Sequence, residues 1–213
     1  MNAIAHEHPF RHWLATGLAP ARWLDQVRRE VPPPSWPGWV LYQNELEQKR
    51  TTRDVAQLGP TTRKLFSYLS GSVSFRNDLR YMSGIPDLQA DPALYGGGLH
   101  VVDPGGWLQC HLDHQIGADP TMERRLNLVL FLSAEWLPAW GGALELCDPM
   151  GRPVKRVFPS PGAAVLWESS DLAYHAVQQV TEDAPSRITA ACYYLSPARP
   201  TATRRRALFV PRR

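Results

Sequence analysis

The chain has 213 residues, 44% of them hydrophobic, and its 23 basic and 20 acidic side chains give a formal net charge of +3. This length is sufficient to bury a substantial core within one domain. No apolar run is long enough to cross a bilayer, and residues 1–9 lack the basic start and apolar stretch of a secretory signal. We therefore expect a cytoplasmic protein without a membrane partner.

The cysteines point in the same direction. Cys110, Cys147 and Cys192 are odd in number and too far apart for a Cys-x-x-Cys site. This argues against a disulfide framework and for a reducing compartment. We expect all three to be small buried side chains.

Positive charge is concentrated at the C-terminal end. Residues 199–213 carry six arginines and no acid, which leaves 17 basic and 20 acidic side chains in the rest of the chain. The arginines are Arg199, Arg204, Arg205, Arg206, Arg212 and Arg213. Because no aromatic interleaving or nucleic-acid motif accompanies them, we expect a solvated tail over residues 198–213 and no nucleic-acid partner. The apolar residues Leu208–Val210 leave open that the tail folds back on the domain, and the oligomeric state is open.

The first 95 residues have a mainly helical pattern. Leu24, Val27 and Val31 recur at the spacing of one helical face, and the three prolines that follow end this helix. The predicted helices are Pro20–Val31, Pro60–Leu69 and Val73–Met82. Ahead of them we expect a mobile, exposed N-terminus. It carries the three histidines His6, His8 and His12, which we expect to be exposed to solvent.

From Gly96 onward the pattern changes to short β-like runs between glycine and proline turns. The predicted strands are Gly98–Val102, Leu108–Asp113, Leu126–Ser133, Ala143–Cys147, Ala163–Trp167, His175–Val180 and Ile188–Leu195. Many evenly spaced short strands favour a sandwich or a barrel-like roll. We therefore predict an α+β fold in one domain, residues 1–213, with a helical part over about 1–95, a β core over about 96–197 and the tail.

One pattern in this core is typical of a metal site. Residues two apart in a strand project from one face, so His111 and Asp113 can reach the same ion, and a second imidazole, His175, arrives from a distant strand. Two imidazoles and a carboxylate on one side of a metal form the facial triad of non-heme Fe(II) oxygenases. Arg187, twelve positions beyond His175, is a fixed cation able to hold the remote carboxylate of a keto acid. His114 faces away from this ion if the strand continues, so we expect it at the surface or lining a substrate pocket.

With these residues in place, the chain resembles the Fe(II)/2-oxoglutarate-dependent dioxygenases of the prolyl-hydroxylase-like branch. The matching stretches are Gly96–His100, His111–Asp113, Arg124–Leu132, Trp136, Gly141–Leu146, Val165–Trp167, Tyr174–His175 and Ser186–Arg187. The resemblance implies a double-stranded β-helix core of the jelly-roll or cupin-like type. It also implies Fe(II) as the metal, 2-oxoglutarate and O2 as co-substrates, and hydroxylation of an unactivated C–H bond.

The resemblance assigns roles to individual residues. His111, Asp113 and His175 match the iron ligands, and Arg187 matches the arginine that binds the C5 carboxylate of 2-oxoglutarate. Thr189 shares the strand face of Arg187 and is a second candidate for contact with the co-substrate.

Asn127 is a further candidate for the co-substrate, because a polar side chain in the apolar run Leu126–Leu132 needs a buried partner. Many relatives have a tyrosine where this chain has Phe131, and that tyrosine also contacts the carboxylate of 2-oxoglutarate. Here Asn127, Tyr193, Tyr194 or water has to supply the contact. We expect His100, which recurs in the family pattern, to be a hydrogen-bonded structural residue.

Other functions remain open from the sequence. The same iron chemistry gives desaturation or ring formation in place of hydroxylation, and a non-catalytic binding or sensing module on this fold is a different class of function. A cupin-like metal-dependent isomerase is a third option, but it normally requires more histidine ligands. A free amino acid, a peptide or protein side chain, and a natural-product intermediate are all possible substrates.

Overall fold

The computed structural model describes residues 1–116, 119–202 and 205–211. Within these ranges there are three α-helices, α1 (Ala21–Glu30), α2 (Pro60–Gly71) and α3 (Val73–Ser83). None of them is long and apolar enough to span a membrane.

Strands make up most of the remaining regular structure. They are β1 (Asn2–His6), β2 (His12–Thr16), β3 (Val40–Gln43), β4 (Glu47–Thr52), β5 (Gln89–Ala90), β6 (Gly98–Val102), β7 (Trp107–Leu112), β8 (Met122–Phe131), β9 (Leu144–Cys147), β10 (Pro153–Val157), β11 (Ala164–Glu168), β12 (His175–Val177), β13 (Arg187–Pro197) and β14 (Leu208–Phe209). All pair antiparallel in one sheet with the order β1-β2-β11-β8-β13-β6-β4-β7-β12-β9-β10. The short strands β3, β5 and β14 add to β4, β13 and β7.

Strand β4 joins the two parts of this sheet. Its residues 50–52 pair with β6, while Glu47 and Gln48 pair with the start of β7. Strands on both sides of this junction line a single pocket, so the sheet curls around it. The result is an antiparallel, jelly-roll-like core with helices against its outer face.

The alternation of side chains in β8 and β13 separates the pocket from the helices. In β8, Leu126, Leu128 and Leu130 pack in the hydrophobic cluster that contains the buried faces of α1, α2 and α3. The intervening side chains of β8 face inward, as does the alternate set in β13. This two-layer arrangement gives the inner face a rigid support for functional groups.

The ends of two helices follow local chemistry. Helix α1 ends at Glu30, and the cap residue Val31 is extended because it precedes a proline. Helix α3 begins where the Ser72 hydroxyl accepts a hydrogen bond from the Phe75 amide at 3.2 Å. It ends at Gly84, whose φ of 72° is accessible to glycine at little cost.

The predicted helices and core strands are confirmed, with boundaries shifted by a few residues. The prediction of a mainly helical part over the first 95 residues left out five strands that lie there, and three of them, β2, β4 and β5, pair with core strands. His12, expected to be exposed, is fully buried in β2 opposite Trp167. Its Nδ1 is 2.8 Å from the Phe10 carbonyl and its Nε2 is 3.1 Å from the Lys155 amine.

The prediction of a solvated tail is also wrong for the residues that can be described. Leu208 and Phe209 pair with Leu112 and His111, and the Val210 amide donates to the Cys110 carbonyl at 2.9 Å. The arginines Arg204, Arg212 and Arg213 of this tail lie outside the described residues.

The N-terminal hairpin should contribute to global stability. Trp13 in β2 is 3% exposed and packs in the main core cluster, so Trp13→Ala should lower the free energy of unfolding by about 3–5 kcal/mol. Ile4→Ala in β1 is the control, because Ile4 is 67% exposed. Urea denaturation of both variants measures the difference, and equal stability would mean that the hairpin is not part of the core.

Candidate metal centre

The centre of the pocket is built by the register between two strands. In the antiparallel pair β7–β12, His111 and His175 are direct partners, and Asp113 follows the end of β7. The Nε2 atom of His111 lies 3.3 Å from Oδ1 of Asp113, and Nε2 of His175 lies 3.6 Å from Oδ2. One potential ligand atom from each residue falls within 4.8 Å of the others. The structure therefore brings together the three residues that the sequence predicts as metal ligands.

The outer nitrogen of each imidazole is fixed by the backbone. Nδ1 of His111 is 2.9 Å from the Gln109 carbonyl, and Nδ1 of His175 is 3.0 Å from the Ala173 carbonyl. A carbonyl oxygen only accepts, so each Nδ1 donates its proton and each neutral ring leaves Nε2 free as a ligand. Such contacts orient metal-binding histidines in general.

The Asp113 carboxylate is held in its charged form. Burial acts to raise the pKa of Asp113, but the imidazoles of His175 and His111 hold it well below its ordinary value. The Nδ2 of Asn127 donates to Oδ2 of Asp113 at 2.7 Å, and the Ser169 hydroxyl donates to Oδ1 of Asn127 at 3.0 Å. Asn127 thus orients the carboxylate, and its amide is oriented in turn by Ser169.

Aromatic and apolar side chains surround the histidines. The ring of Trp167 lies 4.7 Å from that of His175, and burial lowers the pKa of His175 to about 4. This imidazole is therefore neutral at pH 7, the state in which it can bind a metal.

The open side of the three ligands faces a pocket of about 230 Å³. Arg187, Thr189 and Val129 are among the residues that line it. Nε of Arg187 donates to the Gly142 carbonyl at 2.7 Å, whereas its buried Nη2 has no hydrogen-bond partner among the described residues. Burial lowers the pKa of Arg187 to about 10, which leaves the guanidinium charged at pH 7. A buried charge with a free donor fits a carboxylate of a bound ligand.

A second group of pocket residues comes from the N-terminal half of the chain and was missed by the sequence analysis. Tyr42 in β3 and Lys49 and Thr51 in β4 line the pocket beside His100 in β6. The surrounding protein and the charge of Lys49 lower the pKa of His100 to about 3. His100 therefore belongs to the wall of the site as a neutral ring, beyond the structural role that we expected.

The remaining candidates divide between the two faces of their strands. Thr189 and Tyr193 line the pocket, and burial together with the nearby Asp113 charge raises the pKa of Tyr193. Tyr194 points to the helices, where its hydroxyl donates to the Leu69 carbonyl at 2.9 Å, so it is excluded as a co-substrate contact. His114 lines the pocket mouth, with its ring 5.7 Å from that of Tyr95.

Phe131 and Asn127, which the sequence analysis considered beside the co-substrate, contact other protein groups. The ring of Phe131 is buried 5.3 Å from the guanidinium carbon of Arg187, so it packs against the cation where a tyrosine would donate a hydrogen bond. Asn127 is bonded to Asp113 and is not among the residues that line the pocket around Arg187. Its geometry indicates support of a metal ligand, while a contact with the co-substrate stays a prediction.

The donor set suits Fe(II). Two neutral imidazoles and one carboxylate, all on one side of a cation, are the facial triad of non-heme iron enzymes, and they leave the positions toward Arg187 open. The unpaired Nη2 of Arg187 adds an anchor for the far carboxylate of a dicarboxylic keto acid.

A family model matches the part of the chain that carries this site. Residues 97–195 match the model of the 2OG-Fe(II) oxygenase superfamily. Over 92 residues the chain is 32% identical to prolyl 3-hydroxylase OGFOD1 of Xenopus laevis, a match that covers 41% of this chain. The matched stretch spans 17% of the length of that relative.

Solved structures show the same fold. A prolyl-4-hydroxylase from Pseudomonas putida superposes with a TM-score of 0.64 at 18% identity, covering 88% of this chain and 93% of that one. A prolyl hydroxylase from Trichoplax adhaerens, in complex with a hypoxia inducible factor oxygen degradation domain peptide fragment, gives a TM-score of 0.62 at 13% identity, with 87% and 83% of the chains covered. At these identities the likeness is one of fold.

Removing the Asn127 amide should weaken the metal site without removing a ligand. Because Asn127 orients Asp113, we expect Asn127→Ala to lower the affinity for Fe(II), or for Co²⁺ as an air-stable probe, by about 10–100-fold. Asn77→Ala, at an exposed position in α3, is the control. Calorimetric titration measures both, and an unchanged affinity in Asn127→Ala would contradict the orienting role.

The partly buried His100 should make stability depend on pH. Its pKa falls from 6.5 in the unfolded chain to about 3 in the folded protein, so the unfolded state binds the proton more readily between these values. The resulting stability is complete above pH 6.5 and is lost as the pH falls, by about 2 kcal/mol at pH 5. Between pH 7 and pH 5, the free energy of unfolding of His100→Gln should therefore fall by about 2 kcal/mol less than that of the wild type. Parallel denaturation curves in that range would contradict the assignment, and above pH 7 the two proteins should behave alike.

Proposed function

We propose that this chain, whose residues 97–195 match the 2OG-Fe(II) oxygenase superfamily, is an Fe(II)- and 2-oxoglutarate-dependent dioxygenase that hydroxylates a side chain of a polypeptide. The observation that carries this proposal is the combination of the three ligands with the unpaired Nη2 of Arg187 in one pocket. The His111, Asp113 and His175 side chains hold the iron. Arg187, with Thr189 on the same strand face, binds the far carboxylate of 2-oxoglutarate.

The bound iron and keto acid supply the oxidising chemistry. In the overall reaction O2, 2-oxoglutarate and a C–H bond give the C–OH product, succinate and CO2. The residues of this chain orient the participants. Asn127 orients the Asp113 carboxylate, and the two backbone carbonyls orient the imidazoles, so the three side chains would hold a metal from one fixed side.

Beyond the strand pairing, we infer that the curled sheet is a double-stranded β-helix and that residues 1–213 form one domain. Supporting this, the pocket takes residues from β3 to β14. A cytoplasmic location stays a prediction, and the three free, buried cysteines agree with it.

A polypeptide substrate suits the size of the pocket. Its volume of about 230 Å³ is below the roughly 300–1,000 Å³ of sites that enclose a whole drug-sized ligand. The pocket therefore suits the co-substrate and one inserted side chain, while the rest of the substrate lies across the mouth. Because the relatives with similar sequence or fold are prolyl hydroxylases, proline is the first residue to test.

Loss of the Arg187 guanidinium should weaken 2-oxoglutarate binding more than metal binding. Removing one partner of a desolvated ion pair costs about 2–5 kcal/mol, so the dissociation constant for 2-oxoglutarate should rise at least about 30-fold in Arg187→Ala. Arg156→Ala is the matched control, because the Arg156 side chain is 52% exposed and neither it nor its partner Glu145 lines the pocket. Titration of 2-oxoglutarate into Co²⁺-loaded protein measures the change. An unaltered dissociation constant in Arg187→Ala would place the anchor elsewhere.

The reaction itself is tested with a library of proline-containing peptides. Fe(II)-loaded protein should release succinate, and one peptide should gain the mass of a single oxygen atom. Asp113→Ala should do neither. A loss of two hydrogens would indicate desaturation or ring formation, and a protein that binds 2-oxoglutarate but never consumes it would be a binding module.

A further inference from the structure

The C-terminal segment crosses the metal centre. We call residues 205–211 the strap. The Gln115 amide donates to the Arg205 carbonyl at 2.9 Å, and a guanidinium nitrogen of Arg205 donates to the Asp113 carbonyl at 2.9 Å. At the other end the Val210 amide donates to the Cys110 carbonyl at 2.9 Å. The strap therefore runs antiparallel along the stretch of chain that carries two of the three metal ligands.

The strap occupies a strand edge that the rest of the sheet leaves free. One edge of β7 is covered by β12, and on the other edge β4 pairs only with Trp107 and Leu108. The Gln109 amide donates to the Leu46 carbonyl at 2.8 Å, and the rest of that edge, residues 110–112, pairs with the strap alone among the described residues. An exposed strand edge of this kind is a template for an extended polypeptide.

The side chains of the strap alternate as in any strand. Ala207 and Phe209 line the metal pocket, and the Phe209 ring stacks on the His111 imidazole with centroids 5.2 Å apart and planes at 22°. Leu208 points outward and is 48% exposed. Val210 packs on the buried cluster that contains Cys110, Cys147 and Ala176. Phe209 thus holds the place at the pocket mouth through which a substrate side chain has to enter.

The strap is a short element whose strand pairs with β7 alone among the described residues, and an exposed ion pair joins Arg205 to Asp171. Its strand is two residues long, and Arg206 and Leu208 are exposed. Segments with few buried contacts open at a small fraction of the global free energy of unfolding. A tethered segment nevertheless competes at a high effective concentration, which is in the millimolar range for short linkers.

We propose that residues 110–112 of β7 form the docking edge for the polypeptide substrate, and that the strap is an intramolecular occupant of this edge which the substrate displaces. This rests on the proposed function for the identity of the substrate. The partner is an extended polypeptide with apolar side chains at two consecutive positions. One such side chain enters the pocket in place of Phe209, and the next residue packs on the cysteine cluster in place of Val210.

The test uses the full chain and a synthetic, end-blocked peptide with the sequence of residues 205–211, beside a scrambled peptide. In hydrogen exchange, saturating peptide should raise the exchange rate of the strap amides by about fivefold or more while β12 is unchanged. The scrambled peptide should have no effect. Binding that leaves strap exchange unchanged would show that the peptide binds elsewhere, and no binding at millimolar concentration would also overturn the proposal.

Two variants change the hold of the strap in opposite directions. Phe209→Ala removes the stacking on His111, so the labelled peptide should bind about two- to tenfold more tightly than to the wild type. Leu208→Ala, which alters an outward side chain, should have a smaller effect.

Val210→Cys puts a thiol beside Cys110 and Cys147, and oxidation to a disulfide, with oxidised glutathione as the electron acceptor, locks the strap. Mass spectrometry of the digested protein identifies the bond.

The locked protein should bind the labelled peptide at least about tenfold more weakly, and reduction should restore binding. Val154→Cys, treated in the same way, is the control because Val154 is 56% exposed in β10. Equal affinity for the locked and reduced forms would make the strap a fixed wall of the site and would refute the docking edge.

These binding experiments need no turnover, so they separate the two proposals. Peptide displacement without any consumption of 2-oxoglutarate would leave the docking edge and refute the oxygenase function. Consumption of 2-oxoglutarate by a protein whose strap is never displaced would support the oxygenase function and refute the docking edge.

Discussion

The register between β7 and β12 is the constraint on which the rest of the site depends. It sets His111 opposite His175, and Asp113 follows within reach of both Nε2 atoms. A slip of one residue would turn His175 to the other face of the sheet and leave a buried carboxylate without its partners. The backbone carbonyls, Asn127 and the wall of the pocket all act on a geometry that this pairing has already fixed.

The second requirement is closure of the sheet, and β4 supplies it. This strand pairs with β6 at one end and β7 at the other, so it joins the part of the sheet that carries Arg187 to the part that carries the histidines. The cation and the metal ligands then face one pocket although they lie on different parts of the sheet. Most of the pairing involved is between distant parts of the chain, which makes the site a property of the completed fold.

Much of this was predictable from the sequence, because apolar alternation marks strands that are buried on one side. Alternation predicted strands β6 to β13 except β10, and the strand-face spacing of His111 and Asp113 together with the distant His175 predicted the metal ligands. Strand β4 was not predicted from the sequence because its residues are polar. They are polar because Lys49 and Thr51 face a polar pocket. The strap was not predicted because the six arginines of residues 199–213 indicated a solvated tail, whereas the packing of the strap depends on Phe209 and Val210. The partner of Asn127 cannot be deduced from a strand pattern alone, but alternation along β13 from Arg187 is sufficient to place Tyr193 on the pocket face and Tyr194 on the opposite face.

The most direct measurement is anomalous diffraction at the iron edge from crystals grown without oxygen in the presence of Fe(II) and 2-oxoglutarate. The account predicts one strong peak bound by the Nε2 atoms of His111 and His175 and by an Asp113 oxygen, with keto-acid density that reaches the free Nη2 of Arg187. A peak at another place, or a keto acid whose far carboxylate does not contact Arg187, would contradict it.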